Sequence, residues 1–151
     1  MPLLAVFLID GQRYALRVQA VERVLPMVAV SSLPKAPAIA LGVINLHAAV
    51  IPVLDIRRRF ALPPREYGIR SHLLLARTRR LTVALPVDQV VGVREVEAET
   101  ITSPEAVLPG IGHVAGIVAL PDGLLLIHDL DTFLSLDEEQ QVAAALGEIK
   151  G

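Results

Sequence analysis

Residues 41–60, LGVINLHAAVIPVLDIRRRF, decide how the chain is read. Two runs rich in Val and Ile flank His47-Ala48, and the stretch closes on Asp55 and three consecutive arginines. No residue from Ala36 to Leu54 is charged, and 19 such residues are about enough to cross a bilayer. That segment nevertheless contains Pro37, Gly42, Asn45, His47 and Pro52, with two polar groups at its middle. Its apolar runs have strand length and β-branched composition, so the stretch reads as two strands joined by a tight turn at His47-Ala48.

The same shape recurs on either side. LAVFLIDGQRYALRV, residues 4–18, is two β-rich runs around Asp10-Gly11, a strong hairpin signal. SHLLLARTRRLTVALPV, residues 71–87, repeats it with a longer polar turn at Thr78-Arg79-Arg80. GIVALPDGLLLIHDLDTFL, from Gly116, follows GVINLHAAVIPVLDIRRRF at a shift of 74, with Gly42 on Gly116, Leu46 on Leu120 and Asp55 on Asp129. Upstream, YALRVQAV matches VALPVDQV at a shift of 69. The chain is therefore a duplication, and the five-residue difference is assigned to one insertion within TSPEAVLPGIGH. His47-Ala48 falls where the second copy has Pro121-Asp122-Gly123, which marks it as a hairpin tip.

Each copy has five strand-like runs separated by Gly/Pro turns, which predicts an all-β fold of two small five-stranded barrels. Contiguous copies put subdomain 1 at about 12–66 and subdomain 2 at about 67–135, with the N-terminal strand possibly shared, all within one domain spanning 1–151. The tail SLDEEQQVAAALG has Ser135 three residues before Glu138, a capping box, and predicts a short C-terminal helix over about 136–146 ending at Gly147.

Composition narrows the function. The chain has 151 residues, 53% of them hydrophobic and 20% charged, enough for a core without staples. A net charge of −2 and 3% aromatic residues give no electrostatic or stacking basis for nucleic-acid binding. The absence of cysteine removes disulfides and thiolate chemistry and fits a cytoplasmic location. The N-terminus lacks a basic leader and a cleavage site and reads as a strand.

Sites for chemistry do not assemble. His128-Asp129-x-Asp131 offers an imidazole and carboxylates, but adjacent strand residues face apart and no second histidine has ligand spacing, so no metal is expected. Asp55 and Asp129 read as equivalent strand-end residues that cap the turn after them. His72 and His113 read as surface residues. Gly110 to Ala115, GIGHVA, has the letters of a dinucleotide fingerprint, but a Pro-rich loop precedes it and a strand follows. No Ser sits in a nucleophile elbow. Neither catalytic residues nor a cofactor are expected, and the apolar excess points to a binding module. A small β-barrel hydrolase with loop-borne His, Asp and Ser is the competing class, and a nucleic-acid-binding barrel the third.

FLIDGQRYALRVQAVERVL, LPKAPAIALGVINLHAAVIPVLDIRRRF, VALPVDQVVGV and VAGIVALPDGLLLIHDL together resemble the CheW-like domain of bacterial chemosensory systems, over roughly residues 4–135. The most specific part is P-x-x-P-x-x-x-x-G-V-I-N-L from Pro34 to Leu46. The resemblance implies two SH3-like five-stranded barrels and a cytoplasmic, non-catalytic adaptor, recruited to membrane-associated receptor arrays without inserting in the membrane. Its implied partners are the cytoplasmic tip of methyl-accepting chemoreceptors and the regulatory domain of a CheA-type histidine kinase. Carried onto this chain, the partner-binding residues are Val21, Arg23, Asn45, His47, Ala48 and Asp88. The family usually has Arg-Gly where this chain has His47-Ala48 and an acidic residue where it has Arg23, so the ion pair those positions tend to form is absent. A specialised paralogue in a pilus or other non-flagellar chemosensory pathway is a version of the same class.

Overall fold

The structure is a computed structural model describing residues 2–107, 109 and 112–150, so Gly110 and Ile111 of the GIGHVA stretch lie outside the described residues. In chain order the elements are β1 (Leu3–Ile9), β2 (Gln12–Arg17), β3 (Val21–Pro26), β4 (Ala40–Leu46), β5 (Ala49–Leu54), α1 (Ile56–Arg59), β6 (His72–Arg77), β7 (Thr82–Val87), β8 (Gln89–Glu95), β9 (Ile101–Thr102), α2 (Pro104–Val107), β10 (Val114–Leu120), β11 (Gly123–His128) and α3 (Leu136–Lys150). The strands form two sheets, ordered β8-β1-β2-β11-β10-β9 and β3-β6-β7-β5-β4.

The duplication holds residue by residue in the hydrogen-bond register. Gly42 pairs with Val53 and Leu46 with Ala49; 74 residues on, Gly116 pairs with Ile127 and Leu120 with Gly123. The parallel contact Val53 to Ala84 has its counterpart in Ile127 to Ala15. The lone bridge between Ser31 and Val43 corresponds to Thr102 with Ile117, the pair that brings β9 into the six-stranded sheet. That last match, at a shift of 71, corrects the insertion: two residues enter before Thr102 and three after it, rather than all five in one place.

The sheets do not follow the halves of the chain. β3 pairs with β6, and its copy β8 pairs with β1. One barrel is thus the continuous segment 21–87, and the other is the hairpin 3–17 joined to 89–128; they are called here the inserted and the split barrel. The cut between about 12–66 and 67–135 is replaced by crossings at 18–20 and at Asp88. The reason is physical: with equivalent registers, either copy of the third strand satisfies either hairpin, and sequence pattern alone cannot choose between them. A three-residue 3₁₀ turn at Val18–Ala20 carries the chain out of the first sheet before it can fold back.

Among the described residues four apolar clusters result, the smallest of them under α3. Leu4, Val6, Ala15, Val118, Leu125 and Ile127 are among those filling the split barrel, and Ile44, Ile51, Val53, Leu73, Leu75 and Ala84 fill the inserted one. The largest lies between the barrels, where Phe7, Leu16, Leu54, Leu74, Leu85 and Phe133 pack together. Strands facing a barrel interior on one side and this shared core on the other are buried on both faces, which explains continuous runs such as LLLA in β6.

α3 begins as expected: the Ser135 hydroxyl accepts from the Glu138 amide and the Glu138 carboxylate from the Ser135 amide, both at 3.0 Å. It runs on through Gly147 to Lys150, because that glycine is solvent-facing and keeps ordinary helical φ, costing only about 1 kcal/mol against alanine. Ala145 and Leu146 lie on Leu33, Val43 and Val50, so the helix that leaves the split barrel straps the inserted one. Asp55 and Asp129 cap the turns after them, accepting from Arg57 N at 3.0 Å and Asp131 N at 3.1 Å.

Candidate functional site

The third strand of each copy is a sheet edge, and the two edges flank one groove. It is a crevice of about 170 Å³ where the inter-barrel core comes to the surface, lined by Phe7, Val18, Val21, Val24, Val90 and Val93 among others. β8 has mostly exposed residues, with Val93 66% and Val91 55% exposed, although its sequence is valine-rich. Val24 across the groove is 42% exposed. Both strands carry a bulge at the same place, which leaves Glu22 and Val91 as the extra residues. The bulges and charged neighbours blunt the edges, while the valines leave an apolar strip open to water.

Beside the groove the barrels are clasped. The side chain of Arg57, in α1 of the inserted barrel, is 1% exposed. Its guanidinium donates to Asp10, in the β1–β2 turn, at 2.8 Å and to both carboxylate oxygens of Asp88 at 2.8 and 3.0 Å. Asp88 also accepts from Asp10 N at 2.8 Å. Burial alone would lower the arginine's pKa, but the two carboxylates outweigh it and raise it, so the cation is permanent. Tyr67 packs against the guanidinium, its ring centroid 5.7 Å away, and donates to Asp55 at 2.9 Å. Burial, and Asp55 beside it, raise the Tyr67 pKa.

The sequence-derived residues separate into four places. Val21 lines the groove. Arg23 pairs in register with Leu75, so it stands on the face that lines the inserted barrel's core, at an exposed edge. Asn45 is exposed on β4, and His47 and Ala48 form the β4–β5 tip with φ of +50° and +68°. Asp88 belongs to the Arg57 clasp. Among the described residues no hydrogen bond or ion pair joins Arg23 to His47, and Glu22 faces Arg77 instead, at 3.8 Å.

The other barrel's tip behaves differently. Asp122, which corresponds to Ala48, is held by Arg13 through two bonds of 2.7 and 2.6 Å. Those bonds hold its carboxyl down at about 2. Thr82 and Ala48 stand in the corresponding positions of the inserted barrel and cannot form such a pair, so the His47-Ala48 tip is left to solvent.

Two histidine expectations are corrected. His113 is half-buried against Phe60 and Phe133, with Nδ1 2.8 Å from the Thr132 carbonyl, and His72 is half-buried on β6. His128 is buried 4.8 Å from the Phe133 ring. Sequence reasoning also missed Arg57, Val24, Val90 and Val93. Arg57 is one of three adjacent arginines and nothing local distinguishes it; the run VVGV after Asp88 did carry a signal, since it shows no alternation on an edge strand.

The family model for the CheW-like domain matches residues 4–138. The chain belongs to the CheW-like family. This CheW-like chain is 30% identical over 139 residues to the chemotaxis protein CheW of Bacillus subtilis, covering 89% of this chain and 88% of that one. It is 27% identical to the probable chemotaxis protein CheW of Rhizobium etli, covering 91% and 90%. Among solved structures it is similar to the scaffolding protein TtCheW from Thermoanaerobacter tengcongensis, with a TM-score of 0.81, 26% identity and 91% of each chain covered. The fold is two SH3-like barrels, and the protein is a non-catalytic chemotaxis adaptor. Among the described residues no helix is long and apolar enough to cross a membrane.

Proposed function

We propose that this CheW-like chain joins the cytoplasmic tip of a methyl-accepting chemoreceptor to the regulatory domain of a CheA-type histidine kinase, using separate surfaces for the two. The observation that carries this reading is the groove between β3 and β8, where the largest core of the molecule opens to water between two strand edges. An amphipathic receptor helix laid along it would cover Val24, Val90 and Val93. The kinase domain then meets the rim of the inserted barrel at the β4–β5 tip, Asn45, His47 and Ala48, which has no counterpart of the Arg13–Asp122 pair, and reaches Arg23 on the β3 edge. An adaptor needs both surfaces open at once, and the groove and the β4–β5 tip stand at opposite edges of the five-stranded sheet. The molecule works in the cytoplasm and reaches the membrane through the receptor.

The test is calorimetric titration with a receptor-tip helical hairpin peptide and, separately, with a CheA regulatory domain. Micromolar binding of both is expected. Val24→Asp with Val93→Asp should weaken the receptor peptide at least tenfold and spare the kinase domain; equal loss of both, with the fold intact, would refute the division of surfaces.

A further inference from the structure

The duplication pairs the positions around Arg57 with those around Asp131, so these two seams between the barrels can be compared position by position, while the α3 strap and its Arg59–Glu138 ion pair have no counterpart. At the first, Arg57 fills its seat and is held by Asp10 and Asp88, with Leu54 fully buried behind it. At the second, each of these is exchanged: Asp131 stands for Arg57, Arg79 for Asp10, Gln19 for Asp88 and His128 for Leu54, and Ala115, on the same seam, has the larger Leu41 as its counterpart in the first copy. The ion pair survives with its charges reversed, but at 3.6 Å, with the Arg79 side chain 84% exposed. A solvated pair of that kind holds little. At the place of the Arg57 seat a crevice of about 270 Å³ remains, bordered by Leu16, Arg17, Arg77, Ala115, His128 and Asp131. Neither ring nitrogen of His128 has a partner among the described residues, where the first copy packs an aliphatic side chain.

We infer that the two barrels are hinged at the Arg57 seam and part at the Asp131 seam, and that this motion sets the width of the groove. A filled, charge-locked seam resists separation more than one that holds a crevice and two ion pairs on exposed arginines, Arg79–Asp131 at 3.6 Å and Arg80–Glu139 at 3.5 Å. The geometry links the motion to the groove. β8 leaves the first seam at Asp88 and lines the groove from Val90; β3 leaves the second at Gln19 and lines it from Val21. Rotation about Arg57 therefore carries β3 past β8 and opens the groove from its Val18–Val21 end. The link to receptor binding rests on the docking proposed above; the hinge does not.

The chain has no cysteine, so spin labels can be placed uniquely through Arg23→Cys on β3 and Arg94→Cys on β8, across the groove. Pulsed electron-electron resonance is then compared with a variant that transplants the first seam onto the second: Gln19→Asp, Arg79→Asp, Asp131→Arg and His128→Leu. If far-UV circular dichroism shows that variant unfolded, Ala115→Leu with His128→Leu, which only fills the crevice, replaces it. The parent's distance distribution should be at least twice as broad as the grafted variant's; a parent equally narrow overturns the hinge. The receptor-tip hairpin peptide should bind the grafted variant at least tenfold more weakly, and equal affinity overturns its control of the groove. A broad parent that binds no peptide refutes the docking and leaves the hinge standing; a narrow parent that binds it does the reverse.

Discussion

Replacing Arg57 by leucine tests the view that one buried cation fastens the barrels together. The change keeps an apolar stem in the seat but leaves Asp10 and Asp88, which are close enough for the Asp10 amide to bond Asp88, without a counter-charge. Removing one partner of a buried ion pair costs about 3–5 kcal/mol. The carboxylates here are 33% and 28% exposed, so water recovers part of the loss and the lower end, about 3 kcal/mol, applies. At roughly 2–4 °C per kcal/mol for a chain of this size, Arg57→Leu should lower Tm by about 6–12 °C. Urea unfolding followed by circular dichroism gives the free energy directly. Adding Asp10→Asn and Asp88→Asn to Arg57→Leu removes the like-charge repulsion and should recover at least about 1 kcal/mol. A loss below about 1 kcal/mol for Arg57→Leu, or no recovery in the triple variant, would refute the idea that this ion pair fastens the barrels.

Ala48→Gly should stabilise the protein by about 0.5–1 kcal/mol, since relief of the left-handed φ of +68° outweighs the extra freedom glycine gains in the unfolded chain; a destabilised variant in thermal melts would contradict the turn geometry. Gly42→Ala should cost more than about 3 kcal/mol, because φ is +155° and a Cβ would strike the Ser31 carbonyl, and soluble yield with Tm reads it. His128 has its pKa pushed down to about 3, mainly by burial, with His113 and Arg59 adding to it. Between about pH 6.5 and 3 the unfolded chain thus binds a proton the folded one refuses, and stability should fall as pH falls through that window; His128→Leu should flatten the dependence in unfolding titrations run from pH 7 to 5. Arg23→Glu with His47→Arg, which restores the family's usual charges on the proposed rim, should change affinity for a CheA regulatory domain by tenfold or more while leaving Tm within about 2 °C; unchanged binding would move the kinase surface elsewhere.

By itself the sequence determined the local pieces. Its turn residues and β-branched runs specified the hairpins, its internal repeat specified that they come in equivalent pairs with equal register, and the Asp55, Asp129 and Ser135 caps were legible because capping depends on residues two or three apart. The motif from Pro34 to Leu46 carried the family. Tertiary structure decided what pairs with what. The copies are interchangeable in pattern, so only the direction taken at Val18–Ala20 and at Asp88 settles that β3 joins β6 and β8 joins β1, and with that exchange the groove comes to lie between the two edges. It also decided which of three neighbouring arginines is buried. Charge and hydropathy are properties of a residue type, whereas the seat of Arg57 is made by carboxylates 47 and 31 residues away, and only the assembled barrels bring them together.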